Sequence, residues 1–268
     1  MQLTYNQNGQ ALAPATKPIT AEAFLPIDHT EIRWLGNAGI MINSRGTTWM
    51  IDPLLEGFDM PLLIEQPILP QDVPSLDACL VTHIDNDHFS RITCKKMKDI
   101  CKAYHAPQYV AEVMRDEGLN GIGHDIGEEF FIGETKVKLT PADHNWQDGM
   151  PDYQYRRWLK EDYCGYSFET PDGSIWLPGD SRLMEAHLQM PQPDVILFDF
   201  SDNDWHITFE GAVKLANCYP NAKLICIHWG SVDAPEMTPF NGDPARLLDR
   251  VVNPDRVCVL APGEAFQL

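Results

Sequence analysis

The chain predicts an α/β fold, and three observations carry that prediction. Short apolar or alternating runs of strand length recur along its 268 residues, separated by stretches with helical spacing. These elements alternate as strands, helices, strands, helices, with no internal repeat and no linker composition, so one domain over residues 1–268 is expected. The third observation is chemical. The stretch Val81-Thr82-His83-Ile84-Asp85-Asn86-Asp87-His88-Phe89-Ser90 crowds two imidazoles and two carboxylates where a strand gives way to a helix.

Composition narrows the class further. The chain is 44% hydrophobic, as a globular protein is, and no apolar run approaches the ~18 residues that a membrane span needs. Met1-Gln2-Leu3-Thr4-Tyr5 lacks a basic segment leading into an apolar one, so no signal peptide is expected. Seven scattered cysteines, an odd number without a CxxC pair, fit reduced thiols and a cytoplasmic setting. Acidic residues outnumber basic ones by 39 to 20, a net −19 that would repel phosphate backbones and argues against a nucleic-acid partner.

In chain order, residues 1–25 mix Gln, Asn, Pro, Ala and Thr without a period and read as an arm over the surface. Strands are expected at Thr30–Leu35, Ile40–Asn43 and Thr47–Ile51, the last closed by Asp52-Pro53. Residues 54–74 form a long loop, either a lid over a site or a packed surface loop. Ala78–Thr82 reads as a buried strand, Arg91–Ala106 as a helix, Gln108–Val110 as a short strand and Ala111–Glu117 as a helix ended by Gly118. A hairpin about Gly133-Glu134 joins Glu128–Ile132 to Thr135–Thr140, and a second turns at Pro171-Asp172-Gly173 between Tyr163–Glu169 and Ser174–Pro178. A helix over Arg182–Leu188, a buried strand Asp194–Phe198 and a Thr208-capped helix Phe209–Asn217 follow. The strand Ala222–Ile227, a helix Pro244–Val251 and a closing strand Val257–Leu260 complete the order.

Within the central stretch, His83 and Asp85 are two apart and point the same way in extended chain. Asp87 and His88 follow at the turn. One such residue alone reads as a cap, and Asp87 or Ser90 could serve as one. Four donors in six positions beside an apolar strand call for charge partners, and their chemistry suits one or two divalent metals.

The stretch resembles the His-x-His-x-Asp-His signature of the metallo-β-lactamase superfamily, with Asp85 where the second His usually stands. Trp34-Leu35-Gly36-Asn37-Ala38-Gly39 followed by Ile51-Asp52-Pro53 resembles the opening of the branch that holds L-ascorbate-6-phosphate lactonase and N-acyl-phosphatidylethanolamine-hydrolysing phospholipase D. There Asn37 takes a position that is commonly His. Pro141-Ala142-Asp143-His144, Leu177-Pro178-Gly179-Asp180 and His228-Trp229-Gly230 are similar to later superfamily elements, and Ala261-Pro262-Gly263-Glu264 to the branch's C-terminal signature.

The resemblance implies a four-layer αββα sandwich with two divalent ions, zinc first and manganese or iron as alternatives. One ion would take His83, Asp85 and His144, the other Asp87, His88 and His228, with Asp180 bridging. Without the resemblance, Asp180 reads as a helix cap, and Asp52 either as a partner of a ligating His or as a turn cap. Asp87 and His206 are the catalytic candidates, His206 as a proton donor or substrate contact, or else a buried structural His. The implied activity is hydrolysis of an ester, lactone or phosphodiester of a small anionic molecule by a metal-activated water. Residues 145–159, with four aromatic residues and Arg156-Arg157, would shape its pocket and hold the anionic group, or else form an ordinary packed loop. Two other classes stand beside this one, a member that binds a small molecule or protein without turnover and an iron oxidoreductase. A homo-oligomer is compatible with the sequence. His29, His105, His124 and His187 are assigned to surface or packing roles.

Overall fold

The computed structural model describes residues 3–268. Two seven-stranded sheets face each other. The first runs in the order Ala265–Gln267, Thr30–Gly36, Gly39–Ser44, Thr47–Ile51, Ala78–Leu80, Tyr104–Pro107, Gly121–His124. The second runs Val257–Cys258, Lys223–Cys226, Val195–Phe198, Gly173–Leu177, Cys164–Thr170, Thr135–Pro141, Glu129–Ile132. In each sheet one half is antiparallel and the other parallel, and in chain order the antiparallel meander precedes the parallel strands.

Period-two alternation builds the layers. Ile40, Ile42, Trp49, Ile51, Ala78 and Leu80 face the second sheet and pack with Val137, Leu139, Tyr166, Phe168 and Leu177. Their alternates Met41, Met50 and Cys79 face outward, onto Cys94, Met97, Val110, Ala111 and Met114 of the helices Arg91–Met97 and Gln108–Asp116. The helix Phe209–Cys218 covers the second sheet, so the order is αββα as expected.

Several boundaries differ from the sequence reading. The helix after the central motif ends at Met97, not Ala106, because Cys79 N–H donates to Ala103 O at 2.9 Å and draws Tyr104–Pro107 into the sheet. Gln108–Val110 is then helix, not strand, since Pro107 sits at its N-terminus, where a missing N–H costs nothing. Residues 182–188 form no α-helix; a 3-10 segment Glu185–Gln189 stands there, and Asp180 caps nothing. The helix near 244–251 is only Ala245–Leu248, and the last strand, Ala265–Gln267, went unforeseen. The N-terminal arm is pinned: Ala11, Ile19 and Phe24 are buried, and Ala13 N–H donates to Gly230 O. All seven cysteines are free thiols, five of them buried.

Candidate metal centre

Five segments, each following the C-terminal end of a strand, converge on one edge of the two sheets. They deliver His83–His88, His144, Asp180, Asp199–His206 and His228. Parallel strands gather functional groups at that end of a sheet. Local backbone re-aims them. Gly179 has φ +74°, and a side chain there would meet Cys164 O at 2.5 Å, so only glycine turns the chain into Asp180. His228 itself holds φ +61°, a strained conformation for a non-glycine residue, with its N–H bonded to Asn37 O at 2.7 Å.

The side chains form two trios. Asp85 Oδ2 lies 3.3 Å from His83 Nε2 and 3.5 Å from His144 Nε2. Asp87 Oδ2 lies 3.3 Å from His228 Nε2 and 3.5 Å from His88 Nε2. Asp180 Oδ2 stands between them, 3.1 Å from His88 Nε2, 3.7 Å from His228 Nε2 and 4.0 Å from His144 Nε2. His206 Nε2 is 3.7 Å from the same oxygen, so Asp180, Asp199, His206 and His228 make a further donor cluster.

Every one of these five imidazoles is anchored through Nδ1, and its Nε2 is turned toward the carboxylates. His88 Nδ1 meets Asp52 Oδ2 at 2.8 Å, His144 Nδ1 meets Trp205 O at 2.7 Å, and His228 Nδ1 meets Pro239 O at 3.0 Å. His206 Nδ1 meets Asp199 Oδ2 at 3.0 Å. Thr82 donates its hydroxyl to Asp52 Oδ2 at 2.6 Å, which leaves its oxygen to accept from His83 Nδ1 at 3.0 Å. This tautomer is the one a metal-ligating imidazole adopts. The Nε2 atoms of His83 and His88 are fully buried without a hydrogen bond, a costly state that a cation between the trios would relieve. The residues present therefore fit a pair of divalent ions.

Electrostatics point the same way. Burial raises the Asp87 carboxyl, but the His88 and His228 imidazoles outweigh it and bring it down to about 2. Burial likewise works against the charge on Asp85 and Asp180, and neighbouring imidazoles hold both well below the usual carboxylate range. Burial drives His228 down, yet Asp180 and Asp87 lift it to about 9. Such displaced values cluster at functional sites.

All seven ligand candidates and His206 thus share one site. Asp52 resolves as a partner of a site His, since it holds both Thr82 and His88. Unforeseen were Trp146 and Gln147, which donate to Asp85 Oδ2 at 2.7 Å and Oδ1 at 2.6 Å, and Asp199 behind His206. Asn37 Nδ2 donates to the Asp87 carbonyl at 3.1 Å. His105, His124 and His187 lie apart, buried in packing contacts, and His29 pairs with its neighbour Asp28.

A cavity of about 580 Å³ opens onto the centre. Phe58 and Met60 from the 54–74 loop and Trp146, Met150, Tyr153, Tyr155 and Trp158 from the 145–159 loop line it, so both loops wall the site. The two arginines expected beside them do not. Arg156 donates through Nη2 to both oxygens of Asp162 at 2.8 and 3.0 Å, stacks over Tyr109 and lines a separate cavity, and exposed Arg157 lines neither. The nearby carboxylate outcompetes the pocket for that guanidinium.

Comparison with known proteins agrees with this geometry. A family model described as the beta-lactamase superfamily domain matches residues 47–229. The chain belongs to the metallo-β-lactamase superfamily and is a metal-dependent hydrolase. It is 26% identical to a metal-dependent hydrolase of Nitratidesulfovibrio vulgaris, over 89% of this chain and 95% of that one. It is 22% identical to N-acyl-phosphatidylethanolamine-hydrolyzing phospholipase D 1 of Caenorhabditis elegans, over 80% of this chain and 67% of that protein. Among solved structures, an isothiocyanate hydrolase from Delia radicum gut bacteria has TM-score 0.70 and 20% identity over 89% of this chain and 98% of its own, a likeness of fold. Among the described residues, no helix is long and apolar enough to cross a membrane.

Proposed function

We propose that the chain hydrolyses an ester, lactone or phosphodiester bond of a small molecule at a binuclear centre. His83, Asp85 and His144 would hold one ion, Asp87, His88 and His228 the other, and Asp180 would bridge them. The observation that carries this reading is the common anchoring of the imidazoles through Nδ1, with every Nε2 aimed at the three carboxylates. Bound divalent ions supply Lewis acidity and lower the pKa of a coordinated water from ~15.7 to about 7. Zinc suits the imidazoles; the extra carboxylate at Asp85 makes its trio harder than the usual one and admits manganese or iron.

The chain's own groups do the rest. Asp87, held ionised near pKa 2 and tied by Asn37, orients the attacking water through its carboxylate. His206, fixed by Asp199 at Nδ1 and lining the cavity, presents Nε2 to the substrate and delivers a proton to the leaving oxygen. Apolar side chains of the two loops wall the cavity in which the reacting bond would lie.

Chelator-treated protein reloaded with zinc, manganese or ferrous ion and assayed on esters, lactones and phosphodiesters tests the reading. Turnover that depends on the metal and is lost in Asp180→Ala supports it. Full metal binding with no turnover on any of these bonds would instead favour a member that binds its ligand without catalysis.

A further inference from the structure

We infer that the pocket takes a substrate that carries an aromatic or bulky apolar group and no charge away from the reacting bond, a carboxylic ester or lactone of that kind being the form tested. This rests on the hydrolase reading of the same site and specifies its substrate class. Three independent features of the cavity carry it.

The first is the wall. Trp146 and Tyr153 meet edge-to-face at 4.8 Å, and Tyr155 and Trp158 at 5.8 Å, with Trp158 Nε1–H tied to Tyr153 O at 2.9 Å. Interlocked rings of this kind form a stiff apolar surface that loses little entropy when a ligand packs against it. The second is the mouth. Met150, Tyr155 and Met237 are among the most exposed large apolar side chains of the protein, at 41, 68 and 45%, and all three line this cavity. Exposed apolar groups gathered at one opening mark a ligand entry. The third is charge. The one arginine or lysine that lines the cavity, among the described residues, is Arg91, which pairs with Glu117 at 3.3 Å and lies over Phe89. Arg156 is spent on Asp162, and Arg182 on Asp143 at 3.2 Å and Asn145 at 3.0 Å. Asp59 adds a carboxylate to the lining. A substrate bearing a phosphate or carboxylate away from the reacting bond would therefore lose its hydration and gain no cation, an unfavourable exchange.

The balance of the reaction is ordinary hydrolysis. Water adds to the acyl carbon, the bond from that carbon to the alkoxy or phenoxy oxygen breaks, and the leaving oxygen takes a proton.

Three matched acetates on the metal-loaded protein test the inference: phenyl acetate, 4-carbamoylphenyl acetate and 4-acetoxybenzoate. The last two differ only by an amide against a carboxylate, remote from the scissile bond. We expect kcat/KM for both neutral esters to exceed that of 4-acetoxybenzoate by about tenfold or more, the scale on which one misplaced pocket group discriminates. Met237→Lys at the exposed mouth should narrow or reverse that ratio without changing metal content. Binding, read by quenching of Trp fluorescence, should favour benzamide over benzoate and weaken for benzamide in Tyr153→Ala. Equal or better turnover of 4-acetoxybenzoate would overturn the substrate class and leave the hydrolase reading standing. If no ester or phosphodiester is cleaved, the hydrolase reading falls, and the fluorescence comparison still decides the pocket: benzamide ahead supports it, benzoate level or ahead overturns it.

Discussion

The indole N–H of Trp146 donates to Asp85 Oδ2 at 2.7 Å, and it does so from the loop that walls the cavity. Gln147 Nε2–H takes the other carboxylate oxygen, and its own Oε1 accepts from Tyr163 Oη at 2.6 Å. Asp85 is thus held at both oxygens in the place where the superfamily signature has an imidazole, oriented by donors that a His there would not need. Trp146→Phe keeps the ring against Tyr153 and removes the donor; Gln147→Leu removes the second. Each should weaken divalent binding to the His83 trio by about ten- to a hundredfold, as loss of an orienting partner does elsewhere. Zinc titration against a competing chelator reads this, and native affinity in both variants would refute the clamp.

Asp52 ties the two trios together from behind, through His88 Nδ1 directly and His83 by way of Thr82. Asp52→Asn preserves the size of the side chain but loses its charge and one acceptor. Metal retained after dialysis should fall at both sites at once, with an affinity loss again of about ten- to a hundredfold. Loss confined to one site would contradict the shared role.

How much of this was legible in the sequence depends on the kind of signal. The strands announced themselves where alternation was clean: Ile40-Met41-Ile42 and Trp49-Met50-Ile51 each place one residue on the helix side and two in the core between the sheets. The donors of the centre were visible because His and Asp side by side after an apolar strand are expensive without a partner. The helix stops at Met97 although Ile100 and Ala103 continue the helical spacing of Ile92 and Met97, because Tyr104–Pro107 pairs in the sheet, and spacing alone does not show that competition. Gln147 left no trace at all. A neutral amide in a loop has no period, and only the fold brings it to Asp85 from 62 positions away.

The buried pair of His105 and His124 makes a pH prediction. His105 Nδ1 meets His124 Nε2 at 2.9 Å, and burial, reinforced by His124, drives His105 down to about 4 from an ordinary value of 6.5. A depressed His favours the folded state while neutral. Its contribution is complete above pH ~6.5 and is lost as pH falls through about 4. Urea unfolding should therefore show stability falling across that window by about 3 kcal/mol from this group. His105→Phe should flatten the same window, and an unchanged slope would rule the pair out as its source.

Arg256 is buried and satisfied wholly by carbonyls, those of Ala216, Tyr219, Ala222 and Val252, so it caps the C-terminus of the helix Phe209–Cys218. Arg256→Met removes all four of these hydrogen bonds from the interior. A loss of about 3 kcal/mol is expected, within the range for breaking a buried polar network. Arg256→Lys should recover only part of it, because an ammonium lacks the planar fork. Denaturant midpoints at constant slope measure both.

The central claim is a binuclear centre made of two trios and a bridge. Elemental analysis of protein purified without chelator, beside Asp85→Ala and Asp180→Ala, tests it most directly. The expected content is about two divalent ions per chain, falling to about one in Asp85→Ala and below one in Asp180→Ala. No metal in the native protein, even after reconstitution, would contradict the account.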